Sequence, residues 1–164
     1  MSRAVVIALL VALGGCGLQP VYSGGSHGVV ATGLGDIHVG PIANRAGYLV
    51  RGELEARMGP AIDQPHYRLD VELDDAIAGF GIRGDNSVTR ERRTLRARYR
   101  LVTIATGAVV VDATATADAG IDRVSSDYSV VAAENTALER LATKLATQIF
   151  ARLAIFAQHA KPGG

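Results

Sequence analysis

Three consecutive segments of the chain alternate between apolar and polar residues, and this pattern constrains the fold more than any other feature. From Tyr67 to Asp74, apolar side chains occupy the odd positions and charged side chains the even ones, and residues 94–101 and 109–118 alternate similarly. Because successive side chains of a strand point to opposite faces, each segment is predicted to be a strand with one solvated face. Thr106-Gly107 separates the last two segments and is typical of a hairpin turn, so the strands are predicted to form an antiparallel meander.

A helical pattern precedes the meander. Val50, Leu54 and Met58 recur every four residues, which predicts one apolar helix face. Asn44 is a candidate N-cap for this helix, and Gly59-Pro60 is a stop signal after it. A first helix is therefore predicted from Asn44 to about Met58.

A longer helical pattern follows the meander, from about Val131 to Phe156, and Asp127 or Ser129 can cap its start. Its apolar side chains step by three or four residues and form one stripe. The stripe consists of Leu138, Leu141, Leu145, Ile149, Leu153 and Phe156. This second helix is long enough to lie along a whole sheet, because an α-helix rises about 1.5 Å per residue.

A short apolar run from Ile37 to Ile42 is predicted to be the first strand. The element order is then βαβββα, which favours the α+β class. The expected architecture is a two-layer sandwich, with two helices packed on one face of a four-stranded, largely antiparallel sheet. Residues 35–160 are long enough for a single domain of this kind.

The N-terminus has the features of an export signal that is cleaved. Arg3 precedes an apolar run from Ala4 to Leu13, too short to span a bilayer. Leu13-Gly14-Gly15-Cys16 then resembles the lipobox of bacterial lipoproteins, which predicts a signal peptide at residues 1–15 and lipidation of Cys16. The alternative is an ordinary signal peptide with a chance cysteine. An exported protein with one unpaired thiol would be unusual, however, and Cys16 is the only cysteine. Residues 16–34 are rich in Gly and Ser and are predicted to be a flexible tether.

No catalytic, cofactor-binding or metal-binding residues are predicted. Residues 79–84 match the G-x-G-x-x-G pattern, but a strand pattern follows them, whereas a dinucleotide site needs a helix there. These glycines are expected to allow a twisted strand end or a mobile loop. The four histidines are scattered without metal-ligand spacing, and no serine has a nucleophile setting. An enzyme is therefore not expected.

Six arginines lie between Arg90 and Arg100, out of 17 Lys and Arg in the chain. The formal charge of +1 and the expected export of the protein argue against nucleic acid. On the predicted strands, Arg96, Arg98 and Arg100 can face Asp70, Glu72 and Asp74 as cross-strand ion pairs. The remaining arginines lack such an acidic row and are expected in a loop, where guanidinium groups can bind phosphorylated or carboxylated ligands. These candidate binding residues are Arg83, Arg90, Arg92 and Arg93.

The chain resembles the LPS-assembly lipoprotein family LptE, in a form like those of alphaproteobacteria. The resemblance covers almost everything from Cys16 to about Phe156. The order and spacing of the matching stretches are more specific than any one of the stretches alone. The stretches that carry it are Cys16–Tyr22 (CGLQPVY), Arg93–Leu101 (RTLRARYRL), Ser126–Glu134 (SDYSVVAAE), Leu138–Ala142 (LERLA) and Gln148–Leu153 (QIFARL).

The resemblance implies two helices on a four-stranded sheet, in agreement with the pattern. It also implies a lipid-anchored protein on the periplasmic side of the outer membrane, which plugs the β-barrel protein LptD and aids insertion of lipopolysaccharide into the outer leaflet. No catalysis or cofactor is implied. Family members contact lipopolysaccharide through basic residues near strand-connecting loops, and Arg83, Arg90, Arg92 and Arg93 lie in the comparable region. The alternative is a periplasm-facing lipoprotein that binds a small ligand or scaffolds another envelope complex.

Overall fold

A computed structural model describes residues 33–82, 88–123 and 126–159. The described residues form, in chain order, strand β1 (Ile37–Val39), helix α1 (Asn44–Met58), strands β2 (Tyr67–Ile82), β3 (Val88–Thr103) and β4 (Val109–Asp122), and helix α2 (Asp127–His159). The predicted α+β class and the order βαβββα are confirmed. The signal peptide, Cys16, nearly all of the tether and Arg83 lie outside the described residues.

The strands form one sheet in the order β1-β2-β3-β4. Strand β1 pairs in parallel with β2, while β2, β3 and β4 form the predicted antiparallel meander. In the long hairpin, Tyr67 lies opposite Thr103 and Ile82 lies opposite Val88. The turn between β3 and β4 contains Gly107, whose φ of 70° is in the left-handed region that glycine adopts without strain.

Strands β2 and β3 continue well beyond the predicted alternation. The sequence analysis expected a twisted strand end or a mobile loop at residues 79–84. The loop is wrong for Gly79 to Ile82, which form the end of β2 and pair with β3. In β2, residues 74–80 are all exposed, so this strand shows no amphipathic pattern there. The facing part of β3 does alternate, because Leu95 and Glu91 are buried and the side chain of Arg93 is only 12% exposed, but two of these three covered residues are charged. Strand β1, in contrast, ends three residues before the predicted Ile42, just ahead of Pro41, which has no N–H to donate to a ladder.

The helices match the prediction except at their ends. Asn44 is not the cap of α1, because Ala43 holds the cap position with extended backbone and Asn44 is the first helical residue, at φ 67°. Helix α2 begins at Asp127, four residues before the predicted start, so Asp127 and Ser129 both lie within the helix. The carbonyl of Ser126 accepts a hydrogen bond from the N–H of Val130 at 3.1 Å. An acidic residue in the first turn also suits the positive end of the helix dipole.

Both helices pack on one face of the sheet. Leu54 of α1, Leu145 of α2 and Leu95 of β3 are all fully buried in this layer. The predicted apolar stripe of α2 is buried from Leu138 to Leu153, and Phe156, partly buried, meets the ring of Tyr67 edge to face at 5.5 Å. Aliphatic residues and alanines thus supply most of the core, as expected from a chain with 5% aromatic residues.

The sheet has two distinct ends. We call one the β3–β4 end: it holds the β3–β4 turn, the start of β2 and the C-terminus of α2. The first described residue, Gly33, packs closely against Ala157 near the C-terminus of α2, since a Cβ added to Gly33 would lie 2.9 Å from the Cβ of Ala157. The described part of the chain therefore begins at this end. The opposite end, which we call the β2–β3 end, holds the end of β2, the start of β3 and the first turns of α2.

Candidate functional site

The face of the sheet opposite the helices carries an unusual density of charge. We call it the open face; it is formed by the even-numbered residues of β2, β3 and β4, which are directly opposite one another in the register. Its six arginines are Arg68, Arg90, Arg92, Arg96, Arg98 and Arg100. Its six carboxylates are Asp70, Glu72, Asp74, Asp112, Asp118 and Asp122. Threonines lie between them, so the middle of the face is polar and its charges are balanced, while Phe80 and Val110 are exposed apolar residues nearer its two ends.

The register on the open face is the predicted one, but the ion pairs are different. Asp70, Glu72 and Asp74 lie opposite Arg100, Arg98 and Arg96, as expected. Arg100, however, reaches diagonally to Glu72 at 3.2 Å, and Arg98 turns to Asp112 of β4 at 2.9 Å. The prediction missed β4 as a source of partners, because the long guanidinium side chain can reach either neighbouring strand.

Hydrogen bonds across the open face shift several pKa values. The hydrogen bond from Arg98 is the main cause that lowers the pKa of Asp112 below its ordinary value of 3.8. Hydrogen bonds to Asp70, Asp122 and Asp112 raise the pKa of Arg68, Arg90 and Arg98 respectively. Because the folded pKa of Asp112 is depressed, the stability gained from this pair is present at neutral pH and is lost only as the pH falls through that lowered value. Solvent screens such exposed pairs, so they fix side-chain directions more than they stabilise the fold.

The structure separates the candidate binding arginines. The sequence analysis expected Arg90, Arg92 and Arg93 in a loop. This expectation is wrong, because all three lie in β3. Arg90 and Arg92 are on the open face near the β2–β3 end, while Arg93 is on the helix-covered face. Arg90 pairs with Asp122 at 2.7 Å with both side chains exposed. Arg83 lies outside the described residues.

Arg92 is exposed, as Arg90 is. Its cross-strand neighbours are Ala78 and Gly120, which leave the space around it open. The guanidinium carbon lies 5.5 Å from the ring centroid of Phe80, a cation–π arrangement with a half-exposed ring. No carboxylate among the described residues forms an ion pair with Arg92. A cation beside an exposed aromatic ring suits an anionic ligand that also has apolar groups.

Arg93 has a different role, because its guanidinium is held inside the protein. Its Nε and Nη2 atoms donate to the two carboxylate oxygens of Asp75 at 2.8 and 2.6 Å, and Nη1 donates to the backbone carbonyl of Glu134 in α2 at 2.8 Å. The side chain is only 12% exposed. The hydrogen bond to Asp75 is the main cause that raises the pKa of Arg93. Arg93 therefore fixes the first turns of α2 to the extended part of the β2–β3 hairpin.

A second ion pair at this end was missed by the sequence reasoning. Glu91 is 7% exposed, and its Oε1 atom accepts a hydrogen bond from Nη1 of Arg123 at 2.9 Å. Its other oxygen, Oε2, has no hydrogen-bond partner among the described residues. The sequence did contain a signal for this burial. Glu91 and Arg93 are at odd-numbered positions like the apolar Leu95, and alternate residues of a strand point to the same face, so both lie on the helix-covered face.

Other kinds of site find little support within residues 33–82, 88–123 and 126–159. No group of three or more His, Cys, Asp or Glu side chains there could hold a metal ion. None of the helices there is long and apolar enough to cross a membrane. An open, mostly apolar cavity of about 340 Å³ lies between β1 and the segment from Glu55 to Ala61, with His38 and Glu55 as its charged or titratable lining residues.

A four-stranded sheet with two helices on one face defines a small α+β domain, a fold that this chain shares with bacterial lipoproteins of known structure. The chain belongs to the LptE family, described as lipopolysaccharide-assembly, whose model matches residues 34–153. The resemblance inferred from the sequence is thereby confirmed. Membership supports a general role as a lipoprotein in lipopolysaccharide assembly. No curated protein matches the chain at a significant level.

Solved structures of bacterial lipoproteins have a similar fold. A lipoprotein structure from Caulobacter crescentus has a TM-score of 0.63 and 27% identity, and the match covers 83% of this chain and 100% of that one. Lipoprotein B from Nitrosomonas europaea has a TM-score of 0.59 and 12% identity, covering 75% of this chain and 83% of that one. A minor lipoprotein from Acinetobacter baumannii has a TM-score of 0.55 and 14% identity, covering 73% and 92% respectively. At such low identity, the last two matches support the fold alone.

Proposed function

We propose that this protein is an outer-membrane lipoprotein that plugs the lumen of an LptD-type β-barrel and aids insertion of lipopolysaccharide into the outer leaflet. In this proposal, acyl chains on Cys16 anchor the domain, residues 35–160, on the periplasmic side of the membrane, and residues 16–34 are its tether. The role needs neither catalysis nor a cofactor. The family match over residues 34–153 supports the general assembly role, and the open face supports the specific one.

The open face is the observation that carries the plug hypothesis. The lumen of an outer-membrane β-barrel is lined by polar residues, since its strands alternate apolar-out and polar-in. A face with arginines, carboxylates and threonines can form hydrogen bonds with such a wall at many points. Because the helices already bury the other face of the sheet, the domain can fold before it meets the barrel. The open face carries equal numbers of arginines and carboxylates, so it is not repelled as a whole by a lumen wall that carries both positive and negative charges.

Co-purification tests the plug hypothesis. The tagged mature chain, extracted from outer membranes in mild detergent, is expected to retain a β-barrel protein of much larger mass at a one-to-one ratio. A tagged outer-membrane lipoprotein of another family, purified in parallel, controls for barrels carried along in the same membrane fragments. Recovery of the chain alone, or of barrels equally with both baits, would contradict the proposal and favour a free-standing lipoprotein.

We further propose that the candidate arginines, Arg83, Arg90, Arg92 and Arg93, contact the phosphorylated lipid A part of lipopolysaccharide. Arg92 and Arg90 lie on the open face with exposed guanidinium groups, and Phe80 adds an apolar surface beside Arg92. Guanidinium groups match phosphate oxygens bidentately, which makes arginine suitable for such headgroups. Arg93 is included as a weaker candidate, because its hydrogen bonds to Asp75 and Glu134 are already satisfied within the protein.

The double variant Arg90→Ser/Arg92→Ser is expected to weaken binding of lipid A about tenfold or more, since two charge-assisted contacts are lost. The loss should be larger at low salt, where charge interactions are less screened. The matched control is Arg96→Ser/Arg98→Ser, which removes two exposed arginines from the middle of the same strand. Binding of purified lipopolysaccharide by both variants, measured at two salt concentrations, checks the prediction. Equal losses in the two variants would indicate a diffuse charge effect and contradict a specific site.

A further inference from the structure

The open cavity beside β1 lies at an edge of the sheet. Among the described strands, β1 is the first in sheet order and pairs only with β2. The cavity, of about 340 Å³, separates β1 from the end of α1 and from the turn that follows α1. We call it the edge groove; its larger apolar lining residues are Ile37, Val39, Met58 and Pro60.

The pairing with β2 shows which backbone groups of β1 face the edge groove. The carbonyl of Asp36 accepts a hydrogen bond from the N–H of Tyr67 at 3.1 Å, and the N–H of Gly40 donates to a carbonyl of β2 at 2.9 Å. Even-numbered residues of this segment therefore direct their backbone groups towards β2. Because these directions alternate along a strand, Ile37 and Val39 direct theirs into the groove.

The same edge is already paired at one position. The carbonyl of Gly35, the odd-numbered residue before Ile37, accepts a hydrogen bond from the N–H of Ile62 at 3.0 Å. Within residues 33–82, 88–123 and 126–159, no hydrogen bond uses the N–H or the carbonyl that Ile37 or Val39 directs to this side. An extended segment lying in the groove would pair with these four groups, as in the recognition of peptides by sheet edges.

The chain just before the described residues is the nearest source of such a segment. The description begins at Gly33, and a Cβ added to Gly35 would lie 3.7 Å from the carbonyl oxygen of Pro60, in the wall of the groove. Residues 29–31 read Val-Val-Ala, and β-branched residues favour strands. Residues 16–35 contain no Asp, Glu, Lys or Arg, which suits a mostly apolar groove. Residues 32–36 include two glycines, and a connection of this length is typical of a hairpin.

We propose that residues 29–31 lie antiparallel to β1 in the edge groove, as a fifth strand of the sheet. Val29 and Val30 are adjacent, so in either register one of the two side chains points to the helix-covered face, where Met58 lines the groove. The covalent connection gives this segment a high effective concentration at the groove, which a separate chain lacks. Docking leaves residues 16–28 as the tether and covers an edge that could otherwise pair with another chain. The inference goes beyond the proposed function and does not depend on the barrel.

Hydrogen exchange of the purified mature chain, measured at single amides by NMR, tests the proposal. The N–H groups of Ile37 and Val39 are expected to exchange about tenfold faster or more in Val29→Ser/Val30→Ser, which removes both apolar side chains and lowers the strand propensity. The matched control, Leu18→Ser/Val21→Ser, removes two aliphatic side chains from another part of the N-terminal stretch and should keep the native rates. The N–H of Gly40, which is bonded to β2, should exchange equally in all three proteins.

Photo-crosslinking identifies the occupant of the groove directly. Benzoylphenylalanine in place of Ala61, an exposed residue of the groove wall, is expected to link to residues 29–31 of the same chain and to give a product with the mass of a monomer. The same group in place of Ala105, an exposed alanine in the β3–β4 turn, is the matched control and should not link to these residues.

The remaining outcomes each overturn the inference. Fast exchange of Ile37 and Val39 in the native chain would mean that the edge is uncovered. Protection that survives Val29→Ser/Val30→Ser would mean that another segment covers it. Protection that rises with protein concentration, or a crosslinked product with the mass of a dimer, would make the occupant a second copy of the chain. None of these results bears on the proposed barrel partnership, which co-purification tests separately.

Discussion

Replacing Leu145 by aspartate is expected to leave little folded protein. Leu145 is fully buried between α2 and the sheet, in the same layer as Leu95 of β3. The substitution removes an apolar side chain and places an unpaired carboxylate among aliphatic groups, at a cost of roughly 4 kcal/mol or more. Since a domain of this size is stable by only about 5–15 kcal/mol, the loss is a large fraction of the total. Urea unfolding of the purified protein, followed by circular dichroism, measures it.

The neighbouring substitution Lys144→Asp is the matched control. Lys144 is exposed on the outer side of α2, so the same aspartate there should change the free energy of unfolding by less than about 1 kcal/mol. The two residues are adjacent in the chain, and only the phase of the helix distinguishes them. Similar losses in both variants would mean that the buried stripe of α2 has been placed on the wrong face.

The fold was predictable from the sequence wherever burial imposes a period on the side chains. The alternation placed the charged residues of the first two strands on one face, where the carboxylates do lie opposite Arg96, Arg98 and Arg100, and the leucine stripe gave the buried face of α2. The pattern fails where burial stops. In β2 beyond Asp74 the side chains are exposed on both faces up to Phe80, so no apolar period marks this strand. In β3 the covered positions opposite include Glu91 and Arg93, whose charge conceals their burial from a reading of apolar residues.

The candidate site was predictable in its residues but not in its geometry. The sequence singled out the arginine-rich segment, because its charge density needs no structural context to be seen. Because Arg90, Arg92 and Arg93 were assigned to one loop, the prediction did not separate the even-numbered Arg90 and Arg92 from the odd-numbered Arg93, which lies on the other face of the strand. The first turns of α2 were also missed, and they are what covers Arg93. Only the packing of α2 shows that Arg93 has a partner in the Glu134 carbonyl.

The variant Arg93→Ser is expected to lower the free energy of unfolding by about 1–3 kcal/mol, since it leaves Asp75 and the carbonyl of Glu134 without their donor in a largely covered position. Hydrogen exchange should quicken most in the first turns of α2 and in the outer part of the β2–β3 hairpin, which this guanidinium joins. The control Arg98→Ser breaks the pair with Asp112 on the open face, where both partners are solvated, and should alter exchange little.

Arg93 was also a candidate contact for lipopolysaccharide, and the same variant distinguishes the two roles. A structural tie predicts that stability and local exchange change first, and that lipid A binding falls only as far as the hairpin loses its order. A direct contact predicts the reverse, with weaker binding and an unchanged unfolding curve. Because its guanidinium already donates three hydrogen bonds within the protein, we expect the first result. The binding energy would then come from the exposed Arg90 and Arg92, with Arg93 keeping the strand that presents them attached to α2.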